Sequence, residues 1–281
     1  MLCLKHKAMK YNNEFKVIDT EEKAYFLGQA FGDGCNILKP KGYKFTMASI
    51  DTDTELYQKL QTCFPFLKFK QYSSHSNMVY LESYEKEFCL DLANLGLVSS
   101  KTKNDKTLTF HFPNLREDLI PHFIRGYFDA DGSAWFPTRK RSRNSLHIEF
   151  GCATPNFLNH LKKVLDENGL VFSFTSREKK AGNGKYHMSY ILFSSNRNLS
   201  IQFADYIYKD AHLYLERKKD ICYTPIDLRP AAFSIYGTCP DCGSVNITRK
   251  GTRGKSQRLY CKDCNRQFSK LLNNADSDSN I

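Results

Sequence analysis

Two ten-residue stretches in one frame constrain this chain more than anything else in it: Tyr25-Phe26-Leu27-Gly28-Gln29-Ala30-Phe31-Gly32-Asp33-Gly34 and Phe123-Ile124-Arg125-Gly126-Tyr127-Phe128-Asp129-Ala130-Asp131-Gly132. Each reads as an apolar helix with small residues one turn apart, Gly28 and Gly32 or Gly126 and Ala130, running straight into Asp-Gly. Residues four apart share a helix face, so each pair makes a flat strip where another backbone can approach closely. Two such helices packed side by side with their ends aligned would bring Asp33 and Asp131 together at two helix C-termini, where the macrodipoles are already negative. Carboxylates ~5 Å apart repel by roughly 3 kcal/mol at an effective dielectric of 20, and a divalent cation removes the conflict. One hard oxygen ligand from each side, with positions open to water and phosphate, describes a Mg²⁺ site suited to phosphodiester hydrolysis. A single Asp-Gly would equally be a helix stop and turn; the repetition favours the site.

The elements after each copy match as well. Asp19-Thr20-Glu21-Glu22 offers a capping box for the first helix, with Glu22 reaching back, after a short strand around 15–18. Strands follow at 36–38 and 43–50, a helix with Leu56 and Leu60 that stops before Pro65, strands at 66–72 and 78–83, and a helix over 84–95 ended by Gly96. From Leu115 the series begins again: a helix into Asp131, strands at 133–137 and 145–152, a helix from Thr154 to Gly169, strands at 170–176 and 185–194, and helices over 199–207 and 213–219. An internal duplication is the simplest description. The expected organisation is an N-terminal arm (1–18), repeat one (19–114), repeat two (115–223), a Pro- and Gly-bearing linker (224–237), a small module (238–272) and a disordered polar tail (273–281).

The formal net charge of +11 leaves cations uncompensated, which suits a polyanionic partner, nucleic acid in the first place. No apolar run is long enough for a membrane span, and the start lacks a signal peptide, so a reducing, intracellular compartment is expected. Of ten cysteines, Cys3, Cys35, Cys63, Cys89, Cys152 and Cys222 are scattered and read as buried or partly buried thiols. The other four, Cys239, Cys242, Cys261 and Cys264, form C-x₂-C-x₁₈-C-x₂-C, the spacing of a four-thiolate Zn²⁺ site, with Gly243 and Asn265 suited to the left-handed turns of such knuckles.

The residues 124–132 resemble the nine-residue signature of the LAGLIDADG homing endonucleases, and 26–34 its first copy in a single-chain, pseudosymmetric member. Over residues 15–223 the resemblance implies an α+β fold of two αββαββα repeats, whose antiparallel sheets form a saddle over double-stranded DNA, acting as a monomer with an internal pseudo-two-fold. It also implies metal-dependent cleavage of both strands, with the metal-binding acids at Asp33 and Asp131 and backbone carbonyls at Gly32 and Ala130 as further ligands. Phe31 stands where the second copy has Asp129, a departure that implies altered capping or packing. The family places a lysine of each half near the site, which maps onto Lys101 and Lys218; a solvated surface lysine is the alternative for either.

Basic residues after each signature, Lys39, Lys41 and Lys44 in the first copy and Arg139, Lys140, Arg141 and Arg143 in the second, sit where strands and turns would reach phosphates and base edges, although basic turns are also simply soluble turns. In the cysteine module, Arg253, Lys255 and Arg258 belong to a set of eight cations set against Asp241 and Asp263. With Tyr260 and Phe268 the module resembles transposase zinc ribbons, an accessory DNA binder or a protein binder. The main alternative to a nuclease is a non-cleaving nucleic-acid binder, an intron maturase acting on intron RNA or a DNA-binding regulator. An intein is not expected, because Met1 and Asn280-Ile281 do not supply splice junctions.

Overall fold

Thr20 opens the first repeat, its hydroxyl accepting from the N–H of Lys23 at 3.3 Å, and α1 (Glu21–Asp33) follows. The reciprocal half of the capping box is absent, because with Thr20 as cap the third helical residue is Lys23 rather than an acid; Lys23 reaches back to Asp19 instead, at 2.7 Å. The computed structural model describes residues 10–39, 42–73, 77–97, 110–137, 145–180, 184, 186–224, 239–242, 244, 247–253 and 256–271. The described residues fall into two compact units, Met1–Trp135 with Leu146–Tyr223, and Phe136–Ser145 with Thr224–Ile281.

In the first unit, α1 is followed by β1 (Gly34–Lys39), β2 (Gly42–Ile50), α2 (Thr54–Cys63), β3 (Lys68–Lys70), β4 (Met78–Ser83) and α3 (Lys86–Asn94). The same order returns as α4 (Ile120–Asp131), β5 (Gly132–Trp135), β6 (His147–Cys152), α5 (Pro155–Glu167), β7 (Ser173–Lys180), β8 (Tyr186–Ser194) and α6 (Arg197–Tyr208), with α7 (Glu216–Tyr223) appended. Both sheets are antiparallel and share one topology, β1-β2-β4-β3 and β5-β6-β8-β7. Their registers coincide: Gly34 pairs with Met47 and Met47 with Leu81, as Gly132 pairs with Phe150 and Phe150 with Leu192. The duplication is therefore one of pairing as well as of element order. In the second unit β9 (Ile247–Arg253), β10 (Ser256–Cys261) and β11 (Gln267–Leu271) form a three-stranded antiparallel sheet with β10 in the middle.

Some expectations need correcting. Residues 15–18 form no strand; Phe15 turns inward and is fully buried among Phe26, Phe64, Phe66 and Phe88, whose rings meet it mostly edge to face. β7 begins at Ser173 rather than 170, because Leu170 and Phe172 are buried in the core before the strand starts. Cys35 and Cys63 are exposed, whereas Cys89 and Cys222 are buried and Cys152 is intermediate, as expected; Cys3 lies outside the described residues.

The two signature helices form the centre of the first unit. A Cβ added to Gly28 would stand 2.1 Å from the carbonyl oxygen of Phe123 and 2.7 Å from the nitrogen of Tyr127, while one on Gly126 would stand 2.1 Å from the carbonyl oxygen of Tyr25. Gly28 thus faces 123–127 and Gly32 faces Ala130 and Asp131, so α1 and α4 run parallel, backbone against backbone. Gly34 and Gly132, just past the helix ends, have ordinary extended φ values of −76° and −77°. They are needed for space: a Cβ would meet the Ala30 carbonyl at 2.3 Å or the Phe128 ring at 2.2 Å.

Gly28→Ala should cost about 3 kcal/mol, the upper end of the overpacking range, because the obstacle is rigid backbone. Gly42→Ala, with nothing within 4 Å of the added Cβ, should change stability by less than about 0.5 kcal/mol. Urea unfolding of both variants checks this; equal midpoints would refute the tight contact.

Candidate functional site

Asp33 and Asp131 are the last residues of α1 and α4, and both are exposed. The helix contact continues to that end: a Cβ on Gly32 would lie 2.3 Å from the Ala130 Cβ and 3.3 Å from the backbone nitrogen of Asp131. The two carboxylates therefore leave the paired helices side by side, where the carbonyl ends of both dipoles add to their charge. Tyr127 and Lys218 each lie within the field of both acids.

The position before the small residue differs between the copies, and the structure gives a packing reason. Asp129 is buried and accepts from the Tyr25 hydroxyl at 2.8 Å, the Tyr208 hydroxyl and the Leu215 N–H at 2.8 Å. Burial pushes its carboxyl above the usual range, against the hydroxyls, the Lys218 charge and the N–H that favour the ion. Its counterpart Phe31 packs instead against Phe110, Phe123 and Phe157. Tyr25 and Phe123 also occupy equivalent places, so one side of the pseudo-dyad is joined by a tyrosine–carboxylate pair and the other by two phenylalanines. At the opposite end of the helices, fully buried Arg125 donates to Glu21 at 2.6 Å and to the carbonyls of Leu213 and Ile207. This ion pair ties α4 to α1; Arg125 lies within the signature stretch, but its partner Glu21 does not.

α7 brings two adjacent cations to the two repeats. Lys218 is buried, and its ammonium donates to the carbonyls of Phe128, Asp129 and Gly132 at 2.6–2.7 Å, with Ala130 at 3.4 Å. It closes the C-terminus of α4 from inside, satisfying carbonyls a helix end leaves open. Burial lowers its pKa to about 8, opposed by the carboxylates of Asp129, Asp33 and Asp131. Arg217 forms a two-pronged ion pair with Asp53, buried at the start of α2 and also receiving the Ser49 hydroxyl. Lys101 lies outside the described residues.

On the first sheet, Phe45, Met47, Val79 and Leu81 point into the core, so alternation puts Lys44, Thr46, Tyr80 and Glu82 on the outer face. Glu82 pairs with Thr46 and Lys68 across the ladder. Its carboxylate, although on the outer face, is only 2% exposed: it is covered by the ammonium groups of Lys44 at 2.8 Å and Lys70 at 2.7 Å and by the hydroxyls of Tyr72 and Tyr84 at 3.1 and 3.2 Å. Burial alone would raise its pKa, but the bonds from Lys44, Lys70 and Tyr72 outweigh it and hold the carboxyl at about 2. The same register position in the second sheet is Phe193, opposite Glu149 and Ser173. There the outer face carries a more open Arg177–Glu149 pair at 3.4 Å and a half-exposed Trp135 against His147. Lys39 is exposed at the end of β1. Lys41, Arg139, Lys140, Arg141 and Arg143 lie outside the described residues.

In the second unit the Sγ atoms of Cys239, Cys242, Cys261 and Cys264 all lie within 4.8 Å of one another, with Cys239–Cys264 at 3.6 Å and Cys242–Cys261 at 3.7 Å. A tetrahedral Zn²⁺ with sulfurs at about 2.3 Å requires separations of about 3.8 Å, so the donor set fits. The two knuckles are built alike: the Cys239 N–H donates to Ser244 and the Cys261 N–H to Arg266, each closing a turn over its cysteine pair. Asn265 has φ +61°, the expected left-handed conformation; Gly243 lies outside the described residues. Arg258 is exposed on β10 and Arg253 ends β9, while Lys255 lies outside the described residues. Among the described residues no helix is long and apolar enough to cross a membrane.

Residues 118–207, from just before α4 to the penultimate residue of α6, match the family described as a LAGLIDADG-like domain. Among solved structures, mesophilic variants of the homing endonuclease I-DmoI align at 17% identity, covering 72% of this chain and 99% of theirs with a TM-score of 0.44. The LAGLIDADG meganuclease I-AabMI bound to uncleaved DNA aligns at 15% identity over 70% of this chain and 86% of its own, TM-score 0.45. I-DmoI in complex with DNA and Ca aligns at 17% identity over 69% and 92%, TM-score 0.43. No curated protein matches.

The depressed pKa of Glu82 makes a stability statement with a definite sign. Its carboxylate stabilises the fold fully above about pH 4.5, and that contribution disappears as pH falls towards about 2. Glu82→Gln should therefore be less stable than the parent by up to about 3 kcal/mol at pH 7, and the deficit should shrink between pH 4.5 and 2. Denaturant unfolding across that range checks it; a pH-independent deficit would contradict the ion-pair assignment.

Proposed function

We propose that this protein is a site-specific endonuclease that cuts both strands of double-stranded DNA, with Asp33 and Asp131 each holding a divalent ion, Mg²⁺, at one scissile phosphate. The observation that carries the reading is the glycine-lined contact of α1 and α4, which ends with the two acids side by side and exposed. Two exposed carboxylates at two negative helix ends make an anionic site that suits divalent cations and, through them, phosphodiesters. The LAGLIDADG-like domain at 118–207 supports the same assignment for the second half, and the first half repeats its topology and register.

Bound Mg²⁺ would polarise the scissile phosphate and acidify an attacking water. The chain's own groups do the rest. Asp33 and Asp131 would each hold one ion, with the carbonyls of Gly32 and Ala130 available as further oxygens. Lys218 anchors the peptide units that lead into Asp131 and supplies positive charge behind the site. Its hydrogens are engaged by helix carbonyls, so its part in the reaction is to fix Asp131 and bias the local field rather than to move a proton. Lys101 is proposed as its counterpart in the first repeat. The outer faces of the two sheets, with Lys39 and Lys44, and the basic residues Lys41, Arg139, Lys140, Arg141 and Arg143 would carry the DNA. In domain terms we read repeats at 19–114 and 115–223, a linker at 224–237, and at 238–272 a ribbon held by Zn²⁺ on its four cysteines that adds sequence-independent DNA affinity through Arg253, Lys255 and Arg258.

The test is cleavage of a randomised duplex library with Mg²⁺. Wild type should yield double-strand breaks at a defined target, Asp33→Asn and Asp131→Asn should each leave a nick in one strand with the opposite strand slowed at least about 100-fold, and the double variant should cut neither. No cleavage by wild type on any duplex, together with tight binding to an intron RNA, would replace the nuclease by a maturase.

A further inference from the structure

The first sheet carries a feature that the cleavage chemistry does not use. Glu82 is a carboxylate on the outer face, almost fully buried by the four groups that donate to it, and its register equivalent in the second sheet is Phe193. We infer that Glu82 is a specificity-determining positioning residue, whose hub fixes Lys44 and Lys70 so that the first repeat reads its half of the DNA more stringently than the second reads its own. This rests on the proposed use of the outer sheet faces for DNA.

A free lysine is a long, adaptable cation that finds some phosphate on any sequence, so it adds affinity without discrimination. A held lysine behaves differently. Lys70 directs its ammonium to Glu82 and to the Tyr72 hydroxyl at 3.2 Å, which leaves one of three hydrogens for DNA; Lys44 is held by Glu82 and Tyr84. Tyr84 lies beneath both, with each ammonium 5.6–5.7 Å from its ring centroid. The remaining hydrogens point from fixed places, so among base edges they favour one with acceptors there, such as the O6 and N7 of guanine. The hub also cancels one of the three positive charges of Lys44, Lys68 and Lys70 around Tyr84, which lowers attraction to non-cognate DNA and so raises the ratio of specific to nonspecific binding. Among the described residues the second sheet shows no such arrangement; its outer face offers Trp135, Phe193 and the looser Arg177–Glu149 pair.

The experiment is a binding selection on a randomised duplex library with the full chain, read position by position, for wild type, Glu82→Gln, Lys70→Met and, as the second-repeat counterpart, Glu149→Gln. Circular dichroism melting confirms that each variant is folded. Glu82→Gln is expected to lose about tenfold discrimination per contacted base pair in one half of the target only. On non-cognate duplex its log-affinity against log-salt slope should steepen by about 0.9 for each lysine released. Lys70→Met should loosen the same half with a shallower slope, which an unfolding effect would not produce, and Glu149→Gln should leave that half unchanged. Loss spread equally over both halves, or an unchanged profile for Glu82→Gln, would overturn the inference. If wild type selects a two-part target but never cuts it, the nuclease reading fails while these profiles still decide the role of Glu82; if wild type selects no duplex, both fall.

Discussion

The contact between α1 and α4 is made by backbone on backbone, and most of the first unit follows from it. Gly28 and Gly126 each admit the opposite helix to within the volume of their own missing Cβ, and Gly32 extends the approach to Ala130. The register of the contact, Gly28 against Phe123 and Tyr127 and Gly32 against Ala130, aligns the two helix ends, so the acids that follow Gly32 and Ala130 emerge as neighbours. The strands begin at once after them, because Gly34 and Gly132 leave room for the preceding helical turn. Each repeat thus hangs its sheet from the end of its signature helix, and the position of the acids relative to both sheets is set by one small-residue seam.

Holding such a seam shut requires polar partners, because two parallel macrodipoles repel along their length. The chain supplies them unequally. Arg125 bonds Glu21 near the N-terminal ends, Asp129 takes the Tyr25 and Tyr208 hydroxyls near the C-terminal ends, and Lys218 closes the last carbonyls of α4. Nearly all of these groups belong to the second repeat or reach into it, while the matching places in the first repeat hold Leu27 and Phe31. Both halves are otherwise filled with aromatic rings, Phe26, Phe45, Phe64, Phe66 and Phe88 in the first and Phe128, Phe150, Phe172 and Phe203 in the second. Pseudosymmetry of topology is therefore compatible with an uneven placement of the polar groups that hold the seam.

What could be read in the chain depended on how local the cause was. The small-residue spacing, the Asp-Gly ends, the repeated element order and the paired C-x₂-C knuckles are each set within ten or so residues, and each appears in the structure. The hub at Glu82 needs the register of three strands and the tyrosines just beyond two of them, Tyr72 and Tyr84, none of which a single segment reveals. Lys218 could be seen as a basic residue late in the repeat, but its burial against the end of α4 depends on how α7 docks. Phe15 reads in the sequence as part of a strand, because an apolar residue among polar ones fits either an extended segment or an inserted plug. Phe31 in place of Asp129 was legible as altered packing; that the change is matched by Phe123 in place of Tyr25 becomes visible only once the helices are paired.

The central claim is that the separation of α1 and α4 at Gly32 and Ala130 decides whether Asp33 and Asp131 work together, and exchanging the two residues tests it most directly. Gly32→Ala puts two Cβ atoms in the place of one, Ala130→Gly removes the other, and the double exchange restores a single Cβ at the contact. Double-strand cleavage with Mg²⁺ should fall at least about tenfold in Gly32→Ala, equivalent to about 1.4 kcal/mol in the barrier, and return most of the way in the double exchange. Full activity in Gly32→Ala, or a double exchange as impaired as the single substitution, would contradict the account.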